Sequence, residues 1–268
     1  MGNGATVSCE RAGVGFFVSC LVDFFRPSVG LAAVRLLEAA GCNVEIPMAQ
    51  TCCGQPAWNN GEPEAARAIA RQVIDTFEPY EHVVVPSGSC AGMVRLEYPR
   101  ALANDDGYGG RAIDLAARTW ELTSFLGDVL GIESTSGTFA AEVVFHDACA
   151  GLRELDIHAQ PRRLLRSMKG LVLKEMNDPE SCCGFGGTFC VKFPEVSEKM
   201  VAGKVRSVSE TGASVLTGCD LGCLLNMAGR LSREGKQLRV LHVAEVLAGD
   251  MDTPGLGEAD VGGKGDVS

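Results

Sequence analysis

The sequence predicts an α/β fold: two pseudo-symmetric three-layer modules, each with a short, mostly parallel sheet. Two observations predict it. Strand-length apolar runs alternate with helical patterns along the chain, the order expected of parallel sheets with right-handed crossovers. One cysteine arrangement also occurs twice: Cys52-Cys53-Gly54 and Cys182-Cys183-Gly184 stand 130 positions apart (182 − 52). Each doublet has a lone cysteine upstream, Cys20 at 32 positions (52 − 20) and Cys149 at 33 (182 − 149). Each also has one downstream, Cys90 at 37 (90 − 53) and Cys223 at 40 (223 − 183).

In the first copy, residues 14–18 form an apolar run suited to a buried strand, and they lead to Cys20. Residues 27–40 space Val29, Ala33, Leu36 and Leu37 as a helix, with Pro27 near its start and Gly41 at its end. A strand over 43–48 leads into Cys52-Cys53-Gly54-Gln55-Pro56, a helix covers 62–77, and a third strand covers 82–86. That strand runs into Ser87-Gly88-Ser89-Cys90 at the start of a further helix. The second copy repeats the order: a strand over 142–145 before His146-Asp147-Ala148-Cys149, a helix over 162–168, and a strand over 171–176 before the second doublet. A helix over 196–210 and a strand over 213–217 follow, feeding Gly218-Cys219-Asp220-Leu221-Gly222-Cys223 and a helix towards Arg233. The ends correspond too, residues 122–127 matching 242–247. The expected modules are 12–131 and 138–248, joined through the Gly, Ser and Thr of 131–137, with a disordered tail over 249–268.

Every cysteine of the two sets then falls just after a strand, where ligand crevices form in open α/β sheets. Residues distant in sequence would converge at one edge of each sheet. Eight cysteines in two sets of four suit two soft-metal sites. Iron–sulfur clusters need several thiolates because each iron takes a terminal sulfur. A Cys-Cys-Gly turn brings two thiolates onto one tight loop, and the N–H groups of Gly184-Phe185-Gly186-Gly187 could donate to cluster sulfurs.

Composition narrows the alternatives. A net charge of −10 (24 − 34), with no cluster of Lys and Arg, argues against nucleic acid. The longest apolar stretch, 14–25, is interrupted by Asp23 and is too short to span a bilayer, so no transmembrane segment is expected. No secretory signal opens the chain, which makes the reducing cytoplasm the expected compartment, where clustered cysteines bind metal or do redox chemistry. Met1 to Thr6 formally fits a myristoylation pattern that matches often by chance. No dinucleotide, Walker or serine-hydrolase signature is present in its required context.

These residues resemble the CCG cysteine-rich domain family found in heterodisulfide reductases, glycolate oxidase iron–sulfur subunits and lactate utilization protein A. The family pattern is Cys, then Cys-Cys-Gly, then Cys-x-x-Cys, present twice, and the resemblance covers roughly residues 12–248. Here the first thiol of the Cys-x-x-Cys is Ser87 in one copy and Asp220 in the other. These departures, with Cys-Cys-Gly-Gln-Pro and Ser-Gly-Ser-Cys-Ala-Gly-Met, resemble the lactate utilization protein A branch rather than the five-cysteine noncubane cluster of the reductase branch. The resemblance implies a cytoplasmic iron–sulfur electron-transfer subunit of a system oxidising L-lactate to pyruvate. One cluster, [4Fe–4S] in type, would sit in each module. Cys20, Cys52, Cys53 and Cys90 would hold one, and Cys149, Cys182, Cys183 and Cys223 the other. Partners would be other lactate-oxidation subunits, including a further iron–sulfur protein.

Two alternatives stand beside this: a thiol–disulfide reductase of the heterodisulfide type, and a zinc-stabilised interaction protein without a redox role. Cys219 is a candidate replacement for the missing thiol, although a shift of one residue on a strand turns the side chain to the other face. Cys9, Cys42 and Cys190 read as core or surface thiols. His146 reads as a structural histidine with satisfied nitrogens, its role as ligand or proton carrier being the alternative. Asp147, Asp220 and Ser87 read as caps of the turns that follow them, Ser87 alternatively as a hydroxyl near the first site.

Overall fold

The computed structural model describes residues 13–258. Cys9 and the myristoylation pattern lie outside the described residues. Eight strands build two four-stranded sheets, every pair parallel. The first holds β1 (Gly13–Phe16), β2 (Asn43–Glu45), β3 (His82–Val85) and β4 (Thr119–Glu121) in the order β2-β1-β3-β4. The second holds β5 (Glu142–His146), β6 (Val172–Lys174), β7 (Val215–Gly218) and β8 (Arg239–His242) in the order β6-β5-β7-β8. The topology is thus the same in both halves, with the order reversing beside β1 and beside β5. In open parallel sheets that switch point is where a crevice opens at the carboxyl ends of the strands.

Alternation along the strands divides the core. Val14, Phe16 and Val84 face one apolar cluster, while Phe17, Val83 and Val85 face another. The second cluster lies under the helix Pro63–Phe77 through Val73, Ile74 and Phe77. The first cluster is shared by the modules: Val29, Ala33 and Leu37 of the helix Pro27–Ala39 join Val144, Leu216, Val243 and Val246. A continuous apolar core therefore welds one half to the other.

The strands over 14–18, 43–48, 171–176 and 213–217 shorten or shift to β1, β2, β6 and β7, because loop geometry around the cysteines takes over at their ends. β4 and β8 are additions. Each is three or four residues long and carries a polar residue at its end, Glu121 and His242, so no apolar run announces it. Residues 249–258, assigned from sequence to the tail, lie along β8. Leu256 is buried, its N–H bonds the Val240 carbonyl, and Arg239 donates to the Met251 carbonyl. Residues 259–268 lie outside the described residues. Among the described residues no helix is long and apolar enough to cross a membrane.

Candidate metal centres

The loops after β1, β2 and β3 bring Cys20, Cys52, Cys53 and Cys90 together. The Cys20 and Cys52 sulfurs stand 3.7 Å apart and those of Cys53 and Cys90 3.4 Å apart, with Cys52 bonded to Cys53 as well. In the second module the same order brings Cys149 beside Cys182, Cys182 beside Cys183 and Cys183 beside Cys223, with the sulfurs of Cys183 and Cys223 within 4.8 Å of each other. These eight cysteines form no disulfide. In both sets the thiol of the first doublet cysteine is pushed down, Cys52 by the Cys20 thiol and Cys182 by the Cys149 thiol. The neighbours that share the proton are pushed up, Cys20 by Cys52 and Cys183 by Cys182. The Gly184 N–H adds to this, donating to the Cys182 sulfur at 3.4 Å.

Both doublet loops turn on glycine in the left-handed region, Gly54 at φ +82° and Gly184 at φ +80°. Each loop is then tied through the carbonyl of its second cysteine. The Tyr98 hydroxyl donates to Cys53 O at 2.8 Å, and the Asn226 amide donates to Cys183 O at 2.9 Å. Sequence reasoning missed both anchors. Asn226 stands one helical turn beyond Cys223, a spacing that could have found it. Tyr98 follows Cys90 across a π-helical stretch, Met93–Glu97, whose register no 3.6-residue periodicity predicts.

The surroundings of the two sites differ. The first opens to solvent through a cleft lined by Val18, Phe24, Pro47 and Met48. The second is backed by polar groups. Arg162 grips both oxygens of buried Asp147 at 2.7 and 2.6 Å, fixing the end of β5. Lys204, 1% exposed, donates to the Asp178 and Pro179 carbonyls and so fixes the loop ahead of Cys182; burial pulls its ammonium down. His146 is fully enclosed at 1% exposure, and neither ring nitrogen has a hydrogen-bond partner. The expectation of a satisfied structural histidine is overturned, because leaving a buried polar group unpartnered costs about 1–3 kcal/mol. Burial pushes its pKa down to about 3, so the ring is neutral with a free lone pair. One ring nitrogen and the sulfurs of Cys183 and Cys223 all lie within 4.8 Å of one another.

Two of the three capping assignments are revised. Asp147 spends its carboxylate on Arg162 and His158, leaving the helix Cys149–Leu155 without a side-chain cap. Asp220 precedes the helix Leu221–Arg233 but accepts instead from module one: Ser87 Oγ at 2.8 Å, Ser89 Oγ at 2.7 Å and Ser89 N at 3.2 Å. Ser87 does cap its helix, accepting from Cys90 N at 3.3 Å, while donating to Asp220. The two positions that lack a thiol thus meet each other. Cys219 is buried just beyond β7, against Glu121. Cys42 lies in the shared core and the Cys190 thiol donates to Gly187 O.

The donor set suits a soft metal group. Four cysteines converge in each module, the thiol of the first doublet cysteine is held low in each set, and an orphaned neutral imidazole faces the second set. The family model described as the CCG cysteine-rich domain matches residues 14–95 and again 143–228, one match per module. The class is therefore that of two-module CCG-domain proteins. Lactate utilization protein A of Bacillus cytotoxicus is 48% identical over 234 residues, 87% of this chain and 98% of the relative. The Bacillus subtilis protein of the same name is 47% identical over the same shares. The chain belongs to the lactate utilization protein A family of CCG-domain proteins. A crystal structure of a hypothetical protein from Helicobacter pylori shares the fold at a TM-score of 0.60 and 9% identity. It aligns with 94% of this chain, which spans about half (51%) of that one.

Proposed function

We propose that the chain is an iron–sulfur electron-transfer subunit in a system oxidising L-lactate to pyruvate, with one [4Fe–4S] cluster per module. The observation that carries the reading is a set of four converging cysteines built around a glycine-closed doublet loop, occurring twice, in a protein whose relatives are named for lactate utilization. The ligands would be Cys20, Cys52, Cys53 and Cys90, and Cys149, Cys182, Cys183 and Cys223. Oxidation of L-lactate to pyruvate releases two electrons and two protons, and each bound cluster would carry one electron. The protein's own part is to hold and tune. Tyr98 and Asn226 fix the doublet loops, and N–H donation to sulfur raises a cluster's potential. Removal of hydrogen from the substrate is assigned to a partner subunit, and a further iron–sulfur protein would share the relay.

One observation favours a second reading. Zn–S bonds of about 2.3 Å at tetrahedral angles set sulfurs about 3.8 Å apart. The contacts of 3.7 and 3.4 Å in the first module come close to that spacing. Anaerobic purification followed by iron, zinc and acid-labile sulfide analysis separates the two. Iron with equimolar sulfide is expected, and near-stoichiometric zinc without sulfide would end the cluster reading. Cys183→Ser is expected to lose about half the iron if the modules bind independently. Unchanged iron would remove that cysteine from the ligands.

A further inference from the structure

The repeat lets the two sites be superposed residue by residue, and they do not match. Cys149 and Cys20 are separated by 129 positions (149 − 20), so the residue corresponding to His146 is Phe17 (146 − 129). Both are buried. Phe17 is an ordinary core residue, its ring packed at a tilt against Phe77 with centroids 5.0 Å apart. His146 sits at the equivalent point with two nitrogens that touch no hydrogen-bonding group. A polar ring in an apolar position without a partner has no packing rationale, because phenylalanine fills the same place in module one. Its neighbours supply another rationale. Cys183 and Cys223, both buried, offer sulfurs within 4.8 Å of one ring nitrogen and of each other, a spacing that one metal atom can bridge. Gly218, paired with His146 across β5 and β7, permits the close approach: a Cβ there would lie 3.0 Å from the His146 carbonyl.

We propose that His146 gives a ring nitrogen to the metal group of the second module beside Cys183 and Cys223, in place of one of the other two cysteines of that set, which makes it a mixed thiolate–imidazole centre, while the first is held by thiolates alone. The inference deepens the reading above and rests on a metal group being bound beside Cys183 and Cys223. A neutral imidazole adds no negative charge, unlike a thiolate, and histidine ligation raises cluster potentials. The second centre would then be the more oxidising of the two, and electrons would settle there.

The test uses the full chain, labelled with 15N-histidine; its sequence has four histidines. Metal and sulfide analysis of the same sample reports on the electron-transfer reading separately. If iron and sulfide are present, pulsed EPR of the reduced protein is expected to show a strongly coupled histidine nitrogen. His146→Phe, which borrows the residue of module one, should abolish that coupling and lower the second potential. If zinc is found instead, the electron-transfer reading falls, and zinc X-ray absorption is still expected to show a nitrogen ligand that His146→Phe removes. Thiol-only spectra in the wild type, or a nitrogen signal that survives in both His146→Phe and His146→Gln, would overturn the proposal.

Discussion

A single methyl group would spoil the second doublet. A Cβ at residue 184 would stand 2.8 Å from the Ser197 carbonyl and 3.0 Å from Met200 Cβ, at a φ that side chains rarely adopt. At residue 54 the nearest obstacle is softer, the Ile69 Cγ2 at 3.2 Å. Gly184→Ala is expected to cost about 1–3 kcal/mol in urea unfolding and to empty the second site, with Gly54→Ala the milder of the two. Wild-type metal content in the Gly184→Ala protein would show that the loop does not need its turn. The glycines, the eight cysteines and their pairing into sets were legible in sequence, because spacing alone encodes them. The state of His146 was not. Its lack of a partner depends on what several separate strands and loops present to it, and no local pattern records that.

At the scale of elements, strands and helices were readable where apolar periodicity extended over enough residues, as in Pro63–Phe77 and Leu221–Arg233. β4 and β8 escaped because their short runs mix polar with apolar residues and end on Glu121 and His242. The loop-to-helix joint at Ser87 was readable as a cap; its bond to Asp220 was not, since 133 residues separate the two. That joint makes a prediction. Asp220→Ala would leave two hydroxyls and an N–H without their acceptor, at about 2–3 kcal/mol. Combined with Ser87→Ala in a double-mutant cycle, it should show a coupling of at least about 1 kcal/mol. Strictly additive losses would mean that the contact contributes nothing to holding the modules together.

Across the whole molecule, the halves are joined by buried polar contacts as well as by the shared core. Glu245, fully buried, accepts from Arg26 at 2.8 Å and Ser28 at 2.7 Å in the other module. Glu121, also fully buried, caps Thr123 and Ser124 and faces Cys219 of module two. Burial pushes its pKa from 4.5 up to about 7. Between those values the folded protein keeps a proton that the unfolded chain has released, so stability falls as pH rises through this window. The rise corresponds to roughly 3 kcal/mol. Glu121→Gln should therefore gain on the wild type in urea midpoint between about pH 5 and pH 8. Parallel pH profiles for the two proteins would refute the role given to this carboxyl.

The meeting of Ser87 with Asp220 also bears on how such a chain can change over time. Each stands where the family pattern has a thiol, and each satisfies the other. Restoring cysteine at residue 220 alone would strip Ser87 and Ser89 of their acceptor, and restoring it at residue 87 alone would remove one of the donors to a buried carboxylate. Neither single step is neutral, although the double step returns to the full family pattern. The pair behaves as a ratchet: the effect of a change at either position depends on the residue at the other.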